Sequence, residues 1–136
     1  MEVEDCIFFQ LSQAGRAGSR YWREQVAHLG VTSVQALVLA LLCGADGTTA
    51  KRLGERAALD SATLTGILDR LERAGFLERQ PDKKDRRAIR VCLTPPGREK
   101  AETIHSMIPR ANQDFLSGLS PAESLMLREL LKKLHP

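Results

Sequence analysis

Between Pro81 and Val91 the chain sets Lys83, Lys84, Arg86, Arg87 and Arg90 against only two acids, Asp82 and Asp85. Five basic minus two acidic residues leave +3 on this segment. The whole chain of 136 residues also carries +3, from 20 basic and 17 acidic residues, so the rest sums to zero, 15 against 15. Cations gathered on one short segment neutralise phosphates, and an Arg can enter a narrow minor groove. Lys83 and Lys84 suit general phosphate attraction. Asp85 suits orienting one guanidinium through a charge-assisted pair. Arg86 adds charge, and Arg87 is the first residue to mutate. The plainer reading is a solvated hairpin tip, so the segment needs a second feature beside it.

That feature lies upstream, in SATLTGILDRLERA. Ser61, Thr63, Thr65, Gly66, Asp69 and Arg70 fall on one side of a helical pattern, with Leu64, Ile67, Leu68 and Leu71 on the other. An ordinary solvated helix face is rich in Glu and Lys. Here the first turns carry small hydroxyls and a glycine, which let a backbone approach a major groove while short polar side chains reach base edges. Leu64 is expected to be buried. Ser61, Thr63, Thr65 and Arg70, with Ser33 at the opening of an earlier helix, complete the candidate DNA-contacting set.

Other chemistry finds no support. Cys6, Cys43 and Cys92 are widely spaced, with no CxxC and no neighbouring His, so no metal site is expected. His28, His105 and His135 form no spacing with carboxylates that suggests a metal or a base. No glycine-rich phosphate loop, GxSxG or HExxH occurs, so neither an enzyme nor a cofactor is expected. The odd, unpaired cysteines suit a reducing compartment. The opening Met-Glu-Val-Glu-Asp has the wrong charge for a signal peptide, and the longest apolar run, 36–43, is far short of a membrane span. A cytoplasmic protein with no membrane partner is expected. At Cys6 a helix start would favour a thiolate, but Glu2, Glu4 and Asp5 oppose it, and a small buried hydrophobe is the plainer reading.

The elements that must position these residues are mainly helical. From Ile7, apolar or small residues recur at 7, 8, 11, 14, 18, 21, 22 and 26, one face of a helix ended by His28-Leu29-Gly30. Thr32 or Ser33 caps VQALVLALLC, apolar nearly all round and therefore expected to be buried. TTAKRLGERAAL is a short helix with Ala50, Leu53 and Ala57 on one face. Asp60-Ser61 start the next, and Gly75 stands at its C′ position. Two short helices with a tight connection form a helix-turn-helix pattern. FLERQ and AIRVCL read as two strands joined by the charged turn, a hairpin of the kind called a wing. A helix opens at 94–97, with Ala101, Ile104, Ile108, Ala111 and Phe115 on one face and Pro109 expected to kink or interrupt it. Ser120-Pro121-Ala122-Glu123 is a capping box for a last helix bearing Leu127, Leu130, Leu131 and Leu134. The expected fold is mainly α with a small β-hairpin wing. It divides into an N-terminal dimerisation helix at 1–30, a winged helix-turn-helix at 31–94 and C-terminal dimerisation helices at 95–136, so that both chain ends build the oligomerisation layer.

DRRAIRVCLT, 85–94, resembles the wing signature of the MarR family of bacterial transcription regulators: Asp85, Arg87, Val91, Leu93 and Thr94 match Asp-x-Arg followed by Val-x-Leu-Thr. LDSATLTGILDRLERAGFLER at 59–79 resembles that family's recognition helix, and LTPPGR and LSPAE resemble the openings of its two C-terminal helices. The resemblance implies a homodimer with intertwined terminal helices and two winged helices on successive major grooves of a pseudo-palindromic operator, about 34 Å apart. It implies that Arg87 enters the minor groove with Asp85 as its partner, that Ser61, Thr63 and Thr65 face the major groove, and that Arg70 holds the backbone or the wing. Gly66 departs from the larger residue common there, which thins base readout. Gly15 and Gly18 lower the first helix's stability by about 1 kcal/mol each against Ala, or allow close helix crossing.

The resemblance further implies a repressor weakened by a small aromatic or anionic effector, for which Phe8, Phe9, Leu11, Tyr21, Trp22 and Leu39 are candidate lining residues. For Tyr21 and Trp22, core or dimer packing is the plainer reading. One branch, the organic hydroperoxide sensors, uses a Cys in the first helix. Cys6 lies near that position, though its spacing to the next helix is slightly long and Gln10 stands where that branch has a Tyr. A redox-sensing repressor is therefore one alternative. A winged helix that binds proteins and not DNA is the other.

Overall fold

The computed structural model describes residues 1–135. Six helices and three short strands follow in chain order: α1 (Ile7–Val26), α2 (Ser33–Cys43), β1 (Thr48–Thr49), α3 (Ala50–Ala57), α4 (Ser61–Arg73), β2 (Leu77–Pro81), β3 (Ile89–Leu93), α5 (Pro95–Phe115) and α6 (Pro121–Leu134). They form two compact units, one of residues 22–107 and one of residues 1–21 with 108–135.

In the first unit, the helix ends are specified by their own residues. Thr32 caps α2 with a reciprocal box, its hydroxyl accepting from the Gln35 N–H while the Gln35 side chain accepts from the Thr32 N–H. Ala36, Val38, Leu39, Ala40 and Leu42 of α2 are buried, but Leu37 is half exposed, at 49%. The expectation of burial all round is thus corrected: α2 has one solvent-facing position, and its apolar character there is not set by the core. Leu53 of α3 and Leu64, Ile67, Leu68 and Leu71 of α4 join this core, each worth about 1.5–3 kcal/mol on burial. Gly54 lets α3 and α4 meet. A β-carbon there would lie 3.3 Å from both the Leu59 carbonyl oxygen and the Leu64 side chain. Ala58, at φ 53°, makes the turn between them, a left-handed conformation that costs a non-glycine residue.

The hairpin pairs Leu77 with Leu93 through Pro81 with Ile89. Pro81 ends the edge strand β2, where its missing N–H breaks no ladder. The sheet has three strands, in the order β1-β3-β2. Thr48 pairs with Val91 and Thr49 with Arg90, so β3 is central and its Val91 is fully buried. Two residues are too few to show alternation, which is why the sequence reading stops at two strands.

The hairpin is fastened where it leaves α4 and enters α5. Gly75, at φ 82°, ends α4 as expected. The Thr94 hydroxyl donates to the Gly75 carbonyl (2.5 Å) and accepts from the Gly97 N–H (3.1 Å), while the Thr94 N–H donates to the Phe76 carbonyl (3.1 Å). Gly97 is required there, since a β-carbon would fall 1.7 Å from the Phe76 carbonyl oxygen.

α5 is one unbroken helix through Pro109, although the ring removes the N–H that would bond the His105 carbonyl. The expected interruption does not occur. In the second unit, Ser120 and Glu123 cap α6 reciprocally. Tyr21 packs on Phe115 with ring centroids 5.3 Å apart, and a β-carbon on Gly18 would only touch the Phe115 ring, at 3.8 Å. Most large apolar residues of this unit stay open: Phe8 is 79% exposed, and Leu125, Met126 and Leu134 about as exposed as each other.

Candidate nucleic-acid interface

α4 is held from below by four buried side chains and from its start by Asp60. The Asp60 carboxylate accepts from the Thr63 N–H and from the Thr63 hydroxyl, both at 2.8 Å. These bonds, the backbone one first, hold the Asp60 carboxyl below the usual carboxylate range. The Thr65 hydroxyl donates to the Ser61 carbonyl at 2.8 Å. Both threonine protons are therefore engaged within the helix start, leaving oxygen lone pairs free. As they stand, Thr63 and Thr65 are acceptors, suited to the amino groups of adenine or cytosine in a major groove. Ser61, Thr63, Thr65 and Arg70 are all exposed, and Leu64 is buried as expected. Gly66 is exposed, and a β-carbon on it would meet nothing within 4 Å, so packing does not require a glycine there.

The wing turn is built by two aspartates. Asp82 accepts from the Lys84 N–H (2.8 Å) and Asp85 from the Arg87 N–H (2.9 Å), while the Asp82 N–H reaches the Ala88 carbonyl (3.0 Å). Asp85 thus fixes the backbone of Arg87 and not its guanidinium, which corrects the expected ion pair. A carboxylate two residues before an N–H closes a tight turn more readily than it reaches a long side chain. Lys83, Lys84, Arg86 and Arg87 are all exposed and no ion pair with a carboxylate engages them among the described residues.

Three ion-paired groups brace the hairpin against α4, the 44–48 loop and α5, and none was among the expected site residues. Arg79 of β2 bridges Asp69 (2.5 Å) and Glu72 (3.0 Å) of α4, and its backbone N–H donates to Glu72 at 2.8 Å. The Arg79 side chain and N–H together hold the Glu72 carboxyl below its usual range. Arg90 of β3 bonds Asp82 (3.1 Å) and the Gly47 carbonyl (2.6 Å). Asp46 accepts from the Leu93 N–H at 2.8 Å and pairs with Arg98. Arg70 makes no ion pair with the wing among the described residues, and it is Arg79 that ties the hairpin to α4. The Asp69–Arg79 and Glu72–Arg79 spacings are readable in hindsight as a helix followed by its own strand, but Asp46 and Arg98 are 52 residues apart and carry no local signal.

The remaining candidates are dispersed. Ser33 is the first residue of α2, half-buried, and its carbonyl accepts from the Trp22 indole N–H at 3.2 Å. Leu39 has no accessible surface, so it is a core residue and offers nothing to an effector. Phe8 and Leu11 are exposed, while Phe9, Tyr21 and Trp22 are half-buried. Cys6 is half-buried and free, between a short 3-10 turn and the first residue of α1. Cys92 is half-buried, and burial pushes its thiol pKa up.

The family model described as MarR family matches residues 31–89. The organic hydroperoxide resistance transcriptional regulator of Bacillus subtilis is 32% identical, over 99% of this chain and 93% of its own. The chain belongs to the MarR family of transcriptional regulators. A mutant of MarR from E. coli, solved in complex with operator DNA, superposes with a TM-score of 0.86 at 28% identity, covering all of both chains. The PcaV transcriptional regulator of Streptomyces coelicolor, solved with its natural ligand, superposes with a TM-score of 0.89 at 27% identity, over 98% of this chain and 94% of that one. Among the described residues no single helix is long and apolar enough to cross a membrane.

Proposed function

We propose that this MarR-family chain is a cytoplasmic, homodimeric repressor that binds a pseudo-palindromic double-stranded operator and releases it when a small aromatic or anionic effector binds. The observation that carries the reading is one arrangement in the unit of residues 22–107. A capped helix presents Ser61, Thr63 and Thr65 to solvent, and the adjoining hairpin presents Lys83, Lys84, Arg86 and Arg87. α4 reads base edges from the major groove, the lysines hold phosphates, and Arg87 enters the minor groove. Nothing in this assignment is catalytic.

The dimerisation layer is drawn from 1–30 and 95–136. Ile7, Phe8 and Leu11 of α1 and Leu125, Met126, Leu130 and Leu134 of α6 expose apolar surface that a monomer would not ordinarily leave in water. A second copy supplies the cover. The effector acts by binding the DNA-incompetent arrangement of the dimer more tightly, which shifts the population. Binding of a labelled fragment from the chain's own upstream region, beside a shuffled fragment of equal length, tests the proposal. Preference for the upstream fragment that weakens steeply with salt supports it. Equal binding of both fragments overturns the sequence-specific reading, and binding of neither returns the chain to the alternative of a winged helix that binds proteins.

The hydroperoxide-sensing alternative gains support from one relative's identity and from the place of Cys6 at the opening of α1. Its test is DNA release on treatment with an organic hydroperoxide. Release that Cys6→Ser abolishes supports it, and release unaffected by that substitution removes it.

A further inference from the structure

We propose that the chain carries a second oxyanion site, formed by Arg52 and Arg56 of α3 and Arg90 of β3 around the 44–48 loop. An open hollow of about 430 Å³ is lined by these three arginines with Gly44, Asp46 and Gly47. Three positive and one negative side chain leave +2 on its wall. The negative one is already spent, because Asp46 bonds the Leu93 N–H and pairs with Arg98. Arg90 is partly spent, on Asp82 and the Gly47 carbonyl, and this fixes its guanidinium at the edge of the hollow.

Arg52 and Arg56 are different. Both are exposed, and neither has a carboxylate within ion-pair distance among the described residues. They stand one turn apart on the same face of an eight-residue helix, where like charges repel. Arg52 also lies in the first turn, against the positive end of the helix dipole. Both placements cost stability in the free protein, and a bound oxyanion reverses the sign of each. Two guanidinium forks and the edge of a third suit the several oxygens of a phosphate.

The site adjoins the wing. Arg90 pairs with Asp82, whose other carboxylate oxygen caps the Lys84 N–H. A backbone phosphate flanking the wing contact is one source of the anion, and free phosphate is the other. The DNA source rests on the DNA-binding reading; the free-anion source does not.

The experiment uses the full chain and its Arg52→Gln/Arg56→Gln double variant, leaving Arg90 in place because it braces the hairpin. Thermal unfolding is compared in inorganic phosphate and in chloride at matched ionic strength. Affinity for the upstream DNA fragment is then measured across a salt series. A phosphate contribution from both arginines lowers the magnitude of the log–log salt slope by about 1 to 2 in the variant. That result assigns the site to DNA. An unchanged slope, with phosphate raising the unfolding temperature of the parent and not of the variant, assigns it to a free anion. If the variant matches the parent in both the slope and the phosphate response, the site does not exist. The phosphate arm decides the matter even if the chain binds no DNA. If the glutamine variant fails to fold in chloride, Arg52→Lys/Arg56→Lys takes its place. It keeps the charge and loses the forks, so a phosphate response equal to the parent's overturns the proposal.

Discussion

α4 and the wing sit in one unit and present polar groups to solvent, yet they are held in opposite ways. α4 is fixed from within. Four apolar side chains lie beneath it, Asp60 closes its first turn, and the outward threonines have already committed their protons. The wing has no apolar side chain at its tip. Its shape comes from two aspartates bonding backbone N–H groups and from the arginines Arg79 and Arg90 at its base. A rigid helix with directed lone pairs suits the reading of base edges, which needs fixed geometry. A charged turn whose lysines and outer arginines are left free suits phosphates, which ask for charge more than for angle.

The joint that α4 and the wing share is the most sensitive point of both. Gly97→Ala drives a β-carbon into the Phe76 carbonyl, and the expected loss is more than about 4 kcal/mol, read by denaturant unfolding. Retained stability would mean the joint relaxes freely. Leu68→Ala removes packing beneath α4 and is expected to cost about 2–5 kcal/mol, whereas truncating Lys83, Lys84, Arg86 or Arg87 in the wing turn leaves the unfolding midpoint nearly unchanged. Arg87→Ala is expected to fold like the parent and to weaken operator binding about tenfold, roughly 1.4 kcal/mol, in an equilibrium titration. Unweakened binding would exclude Arg87 from the interface.

Acid gives the smallest effect and touches both regions. Asp60, Glu72 and Asp82 each have a folded-state carboxyl pKa held low, by the Thr63 N–H, the Arg79 side chain and the Lys84 N–H respectively. A lowered folded pKa means the stabilisation is complete above the ordinary carboxylate range and is lost as pH falls through the lowered value. The unfolding temperature should therefore fall on acidification in that range, and Asp60→Asn with Glu72→Gln should flatten the decline. A decline of unchanged steepness in the double variant would place the sensitivity elsewhere.

The sequence was most legible where a structure is local. Thr32, Asp60, Ser120 and Gly75 announce their helix ends because caps work within three residues, and the buried set of α4 follows from helical spacing alone. Ile89, Val91 and Leu93 revealed a strand by alternation. β1 escaped because Thr48 and Thr49 become a strand only through β3. Arg79, Arg90 and the Asp46–Arg98 pair escaped for the same reason, as their partners come from other elements. Asp85 was placed in the right turn with the wrong partner, since residue types do not tell a backbone N–H from a guanidinium. Leu39 is buried, as the apolar run of α2 implies, and that burial is what removes it from the lining residues. Pro109 shows the opposite limit: a strong local signal against helix is overridden by the rest of α5.

The most direct test of the division between α4 and the wing compares Lys83→Ala/Lys84→Ala with Thr63→Val on the upstream fragment and on shuffled DNA across a salt series. The wing variant should weaken binding to both DNAs alike and lower the magnitude of the salt slope by about 1 to 2. Thr63→Val should weaken binding to the upstream fragment alone and leave the slope unchanged. If the two variants lose affinity in the same pattern, with the same slope and the same ratio between the DNAs, α4 and the wing do not divide the work of base reading and phosphate attraction.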